Sequence, residues 1–412
     1  MKKVFVFLSL FLILSLCAEV AAVKAPAAAQ AKSETVSAVP AKKETAPAVP
    51  VKKEAPKAKG RRVIGPHQVT PVEKYVAPAL AWQDSWMMVV VPDTQGYVKN
   101  NRNHGIADIM FTWISENVDA LKIQQVLIAG DLVDQNRSTN IRPTNNTCTG
   151  YQQWQAISRA VSRLDGVVPY IPCTGNHDYG WNSAQDRGTY FNEFFHPGRN
   201  TKWSNILREC GPNSFGQHTL ENAVYEFVTP NGQKIVIISV AFAPTDAQLA
   251  WARNLFNTKY KDHFGILLTH AYLNGRNNNC SRITKKSYII ERRKGGNVGD
   301  DIFKKLVSKC PNLRMVICGH MSKWMDWDGC VGYSKSVNES GKSVHEILFD
   351  PQALGGGWSG SGGDGWIRLM EFSKDMKQVK VRTFSPLFAI SPATRHLAWH
   401  TQPYNDFVIN ID

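Results

Sequence analysis

VLIAGDLVD, residues 126–134, is the stretch on which the reading of this chain turns. Val126–Ala129 is a short apolar run of strand type that stops at Gly130, and Asp131 and Asp134 follow at once. The arrangement recurs. Met87–Val91 runs into Pro92-Asp93-Thr94-Gln95, and Tyr170–Pro172 leads to Gly175-Asn176-His177-Asp178. Ile266–Thr269 ends at His270, and Met315–Cys318 ends at Gly319-His320. Each motif alone has a plain structural explanation, such as a turn, a helix cap or a satisfied core histidine. Five in order, each at the carboxyl end of a strand, do not, because that edge is where open α/β sheets bind ligands. Mixed carboxylate, amide and imidazole donors suit ions of the Mn, Fe or Zn type.

Outward from these motifs, further strand-like runs occur at Val168–Pro172, Ile235–Val240, Gly265–Thr269, Leu313–Cys318 and Val344–Phe349. Helical spacing separates several of them. Ile106, Ile109, Met110, Trp113, Ile114 and Leu121 recur at steps of three and four, as do Trp154, Ile157, Val161 and Leu164. Strands alternating with helices give an α/β sheet structure. Ile367–Phe372 and Val379–Phe384 read as a late antiparallel hairpin. Between 354 and 366, LGGGWSGSGGDGW opens no helix and lacks the Lys-Ser/Thr of a P-loop; a mobile loop near the site and a surface hairpin both fit it.

With these residues in view, the chain resembles the calcineurin-like metallophosphoesterases, whose pattern is DxH, GDxxD, GNH plus an acid, a later His, and GHxH. The resemblance covers about residues 85–350. PDTQ, GGGW and the RTFSP run at 382–386 resemble an exported bacterial branch. The resemblance implies an α/β fold of four layers, a two-sheet β-sandwich flanked by helices, with a dinuclear site at the strand carboxyl ends. It implies that Asp131 bridges two divalent ions, that Asn176, His270 and His320 complete the second site, and that Asp93 holds the first. It makes His177 the general acid or charge stabiliser at the leaving group, with Asp178 orienting its ring. Asp134 supports the site without binding metal.

Two positions depart from the pattern. Gln95 and Ser322 stand where the family has histidines, and both histidines serve the first ion. That site becomes oxygen-rich, from Asp93, the Gln95 amide oxygen, Asp131 and either Ser322 or water. The expectation is an asymmetric pair: Mn, Fe or Zn at the second site, and a weaker Mn, Mg or Ca at the first. The expected activity is hydrolysis of a phosphomonoester or phosphodiester by metal-hydroxide attack, with His177 assisting the leaving group. The alternative is a non-catalytic envelope protein that keeps the fold and one metal. Tyr97, Tyr179, Trp181, Tyr272, Trp324 and Trp327 follow the motifs and serve either substrate stacking or loop packing. Arg102, Arg276 and Arg282 are eligible phosphate contacts that spacing does not separate.

The amino terminus has a different character. Met1–Lys3 followed by apolar Val4–Cys17 reads as a signal peptide over 1–22. A lipoprotein signal at Cys17 is the competing reading, and Leu16 argues against it. Residues 23–62 form an Ala/Pro/Lys-rich linker containing the near-repeat SAVPAKKETA, PAVPVKKEAP. A lead-in of 63–84 follows, then the phosphoesterase domain at 85–350, with 351–412 supplying strands that complete it. The formal charge of +14 falls mostly on residues 1–62, leaving about +6 for the other 350 residues. Specific nucleic-acid binding is therefore not expected; the partners are a phosphoester substrate and, for the linker, anionic envelope polymers. The location is periplasm, envelope or exterior. Among eight cysteines, Cys173 and Cys318 read as buried thiols, and one or two bridges are expected among Cys148, Cys210, Cys280, Cys310 and Cys330. Nothing in the pattern indicates an oligomeric state.

Overall fold

The computed structural model describes residues 74–275 and 279–412. The signal peptide, the linker, residues 63–73 of the lead-in and Arg276 lie outside the described residues. The strands are β1 (Trp86–Val91), β2 (Ile123–Ile128), β3 (Tyr170–Pro172), β4 (Leu207–Pro212), β5 (His218–Val228), β6 (Lys234–Ser239) and β7 (Phe264–Leu268). They continue with β8 (Leu313–Cys318), β9 (Val331–Val337), β10 (Ser343–Phe349), β11 (Ile367–Phe372), β12 (Gln378–Phe384), β13 (Trp399–His400) and β14 (Asp406–Asn410).

They form two mixed, seven-stranded sheets. The first runs β13-β12-β11-β1-β2-β3, with β14 also on β12; the second runs β4-β5-β6-β7-β8-β10-β9. β1, β2 and β3 are parallel, as are β6, β7, β8 and β10. The hairpin of β11 and β12 joins the first sheet antiparallel to β1.

Period-2 burial sets the layers. Ile235 and Ile237 of β6 point into a core shared with β1 and β2, while Val236 and Ile238 point the other way, onto Leu249, Ala252 and Phe256 of the helix Asp246–Asn257. The helices His104–Glu116 and Gly150–Val161 cover the first sheet through Met110, Phe111, Ile114, Trp154 and Ile157. The result is helix, sheet, sheet, helix. Thr149 with Gln152, and Thr245 with Gln248, form capping boxes that fix where two of these helices begin.

Register then determines function. Val91 pairs with Ile128, and Ile128 with Pro172. Across the sandwich, Ser239 pairs with Leu268, Leu268 with Ile317, and Cys318 with Leu348. The parallel strands therefore stop level with one another, and the turns after them share one edge.

Two expectations need correction. All seven described cysteines are free thiols. Cys310 is buried in the apolar layer under the second sheet, Cys148 faces His104 Nε2 at 3.6 Å, and Cys330 faces Ser322 Oγ at 3.4 Å. The glycine-rich segment is no hairpin. It folds onto the turns Gln95–Val98 and Asn101–Asn103, where Asn103 donates to the Gly360 carbonyl (2.8 Å), Arg102 to that of Ser359 (2.7 Å), and the Gly365 amide to Tyr97 Oη (3.1 Å).

Trp86 joins the two sheets. It is fully buried, stacks on Phe372 of the first sheet at 4.5 Å and meets Phe227 of the second edge-on at 5.8 Å. Trp86→Ala is expected to destabilise the protein by about 3–5 kcal/mol. Equilibrium urea unfolding checks this, and a loss under 1 kcal/mol contradicts the bridging role.

Candidate metal centre

The site begins with His270, two residues beyond β7. Its Nδ1 lies 2.8 Å from the Ala129 carbonyl oxygen and donates to it. Nε2 therefore faces the interior, where Asp131 Oδ2, Asn176 Oδ1 and His320 Nδ1 each lie 3.2 Å away. Asn176 Nδ2 donates to Ser183 Oγ at 3.0 Å, which fixes its oxygen inward. Four electron-pair donors thus converge where almost no water reaches. Something positive has to sit among them. A proton satisfies one contact at a time, whereas a divalent cation satisfies all four. Among the described residues, Asp131, His270 and His320 form the compact group with ligand atoms mutually within 4.8 Å.

The electrostatics agree. Burial opposes a charge on Asp131, but His270, His177 and His320 together hold its carboxyl below the usual range. Burial also opposes a charge on His270; Asp131 outweighs it and raises the imidazole. Burial, with His270 beside it, pushes His320 down to about 3, which keeps its Nδ1 lone pair free.

Close packing of these side chains explains the glycine in two motifs. A Cβ at Gly175 would lie 2.2 Å from Asp131 Oδ1, and one at Gly319 would lie 2.2 Å from Asp93 Oδ1. Asp131 and His320 themselves take left-handed backbone, with φ of 43° and 80°. Such strain persists where surrounding structure enforces it.

Beside this group lies a second cluster, rich in oxygen. Both oxygens of Asp93 accept from the His320 backbone N–H, at 3.3 and 3.2 Å. Gln95 Nε2 lies 3.4 Å from Asp131 Oδ2 and donates to Gln352 Oε1 at 2.5 Å. Gln352 Nε2 donates in turn to Asp93 Oδ2 (3.2 Å) and Asp350 Oδ2 (2.9 Å). Asp350 and Gln352 were not anticipated from the motifs. Burial raises Asp93 well above the ordinary range, with Asp350 and Asp131 adding to the effect, and burial pushes Asp350 up to about 7. Ser322 is not among these groups. Its Oγ accepts from the Ala353 amide at 3.0 Å and meets Cys330, so it secures the turn that carries Gln352.

His177 sits on the same loop as Asn176. Its backbone N–H donates to Asp131 Oδ1 at 2.8 Å. Its Nδ1 lies 2.7 Å from the Asp134 carbonyl oxygen, which orients the ring. The expectation that Asp178 does so is corrected: its carboxyl accepts from the amides of Val133 (3.2 Å) and Gly175 (2.7 Å), tying two ligand loops together. Asp134 lies 3.9 Å from the buried Lys99 Nζ. Of the aromatic residues after the motifs, Tyr97, Tyr179, Tyr272 and Trp327 are buried packing, while Trp181 and Trp324 are 46% and 52% exposed. Arg102 is engaged with the glycine-rich segment, and Arg282 is paired with buried Glu346 at 2.6 Å.

Residues 89–323, more than half of the chain, match the model of the calcineurin-like phosphoesterase family. The chain belongs to that family. A relative, the uncharacterised protein YvnB of Bacillus subtilis strain 168, is 28% identical over 321 residues. That alignment covers 76% of this chain and 21% of YvnB, so the chain spans about a fifth of that relative's length. Among solved structures, a dimetal phosphatase from Danio rerio is similar at 12% identity and a TM-score of 0.42, over 79% of this chain and 99% of that one. GAP50, described as the anchor in the inner membrane complex of Plasmodium, is similar at 10% identity and a TM-score of 0.42, over 80% and 89%.

Gly175→Ala is expected to leave the far-ultraviolet circular dichroism unchanged and to reduce retained metal by roughly tenfold or more, because the new methyl displaces Asp131. Elemental analysis after dialysis checks this. Wild-type metal content in the variant contradicts the packing account.

Proposed function

We propose that this chain is a metal-dependent hydrolase of phosphomonoesters or phosphodiesters that acts outside the cytoplasm. One observation carries the reading: Asp131, Asn176 and His320 each place a donor atom 3.2 Å from His270 Nε2. A buried set of one carboxylate, one amide oxygen and two imidazoles fits a divalent ion of the Mn, Fe or Zn type. Asp93 and Gln95, with Asp131 between the two groups, would hold the other, harder ion at the first site. When bound, the pair would neutralise the phosphoester and lower the pKa of the attacking water.

The protein's own part in the reaction lies with His177. Because Nδ1 is committed to the Asp134 carbonyl, Nε2 is the atom left to give a proton to the departing oxygen. The backbone bond from His177 to Asp131 keeps that ring in register with the ligand group. Of the aromatic residues that follow the motifs, Trp181 and Trp324 are the exposed ones, available to stack on the organic part of a substrate. Location outside the cytoplasm rests on the charged start and apolar run of residues 1–22.

Turnover of p-nitrophenyl phosphate or bis-p-nitrophenyl phosphate with added Mn²⁺ is the direct test. Complete inactivity there and on a broad phosphoester panel would favour a non-catalytic binding protein. His177→Ala is expected to lower kcat by about 10²–10⁴ on an alkyl phosphoester at unchanged metal content. The loss is expected to be smaller on the p-nitrophenyl esters, whose leaving group needs little protonation. Equal losses on both substrates would refute proton donation by His177. Mass spectrometry of the mature amino terminus tests export, with cleavage after Ala22 expected.

A further inference from the structure

The strand β10 ends level with the ligand-bearing strands, and the residue directly after it is Asp350. Asp350 is fully buried, as is Asp93, and Asp131 is 1% exposed. Asp93 Oδ2 and Asp350 Oδ2 both accept from Gln352 Nε2, at 3.2 and 2.9 Å. No Lys or Arg pairs with any of the three among the described residues; the cationic partner in reach is His270, on the far side of Asp131. Three carboxyl groups buried in one region can all be ionised only with a matching positive charge beside them. A second observation points to the same missing partner. Gln95 is 2% exposed, its Nε2 borders Asp131 Oδ2 at 3.4 Å, and its Oε1 has no hydrogen-bond partner. With an ion present, a half-turn of that amide turns its oxygen toward Asp131 and gives up the bond to Gln352 Oε1, an exchange that the ion has to offset.

We propose that Asp350 is a ligand of the first ion, taking the place of the two imidazoles lost at Gln95 and Ser322, and that Asp93, Asp131, Asp350 and the Gln95 amide oxygen form an all-oxygen site for a hard divalent cation such as Mn²⁺ or Mg²⁺. Gln352 positions Asp350 against Asp93 rather than binding the ion. Oxygen ligands alone favour hard, readily exchanged ions over Zn²⁺. This rests on the reading of the chain as a two-ion phosphoesterase, but concerns one ion only.

The test uses the full chain with its tight second site loaded with Zn²⁺. Mn²⁺ is titrated in, and the free ion is followed by electron paramagnetic resonance. The wild type is expected to take up one further Mn²⁺ per chain reversibly. Asp350→Asn is expected to weaken that Mn²⁺ about tenfold or more while retaining the Zn²⁺, which also reports that the variant is folded. Mn²⁺ affinity in Asp350→Asn within twofold of wild type overturns the proposal. So does a wild type that keeps Zn²⁺ but takes no Mn²⁺, since the cluster is then a closed hydrogen-bond network. A wild type that holds neither ion removes the functional reading itself. If Asp350→Asn loses Zn²⁺ as well, Asp350→Glu decides. A changed spectrum of bound Mn²⁺ supports ligation, and an unchanged spectrum and affinity overturn it.

Discussion

Lone pairs that face each other without an intervening proton repel, and this structure buries several of them. Asp131, Asn176, His270 and His320 aim oxygen and nitrogen donors at one point from four different loops. Without a metal ion, a protonated His270 satisfies Asp131, but the Asn176 oxygen and the His320 nitrogen gain nothing by the approach. The arrangement persists because the backbone imposes it, through left-handed residues at Asp131 and His320 and through amide hydrogen bonds to Asp93 and Asp178. The sandwich is the rigid frame that makes such an imposition possible.

The frame works through register. Parallel strands in each sheet finish level, so short turns of one to four residues after Val91, Ile128, Pro172, Leu268, Cys318 and Phe349 deliver their side chains to a common edge. Asp178 and the His177 backbone then stitch two of these turns together across the first sheet. Trp86, wedged between Phe372 and Phe227, is an example of the apolar packing that keeps the two edges facing each other.

The two clusters of polar groups differ in kind. One is nitrogen-rich and compact. The other is a set of carboxylates linked through the amides of Gln95 and Gln352. In that set the NH₂ groups occupy space between carboxylates, as a cation would, and they soften the repulsion only in part. Ser322, at the position of a missing imidazole, instead secures the turn bearing Gln352. Gln95 and Ser322 are thus both engaged in local contacts, and neither leaves an empty gap.

What the sequence determined by itself was whatever local pattern can write. Five apolar runs, each closed by Asp, Asn or His, identified the α/β class and the edge, because strand period and turn chemistry are properties of neighbouring residues, and the family they resemble implied the layers. Edge strands such as β4 and β9, half-exposed and mixed in composition, carried no such signal. Asp350 and Gln352 were open to view as the end of a sixth strand-like run, yet DPQ matches no ligand motif, and its meaning depends on β10 lying parallel to β8. Only the tertiary structure decided that Asp134's carbonyl, not Asp178, holds His177, that Ser322 turns away from the site, and that Gln95 and Gln352 meet across 257 positions of chain. Those are contacts between residues far apart in sequence, and burial in a packed interior, rather than local propensity, selects them.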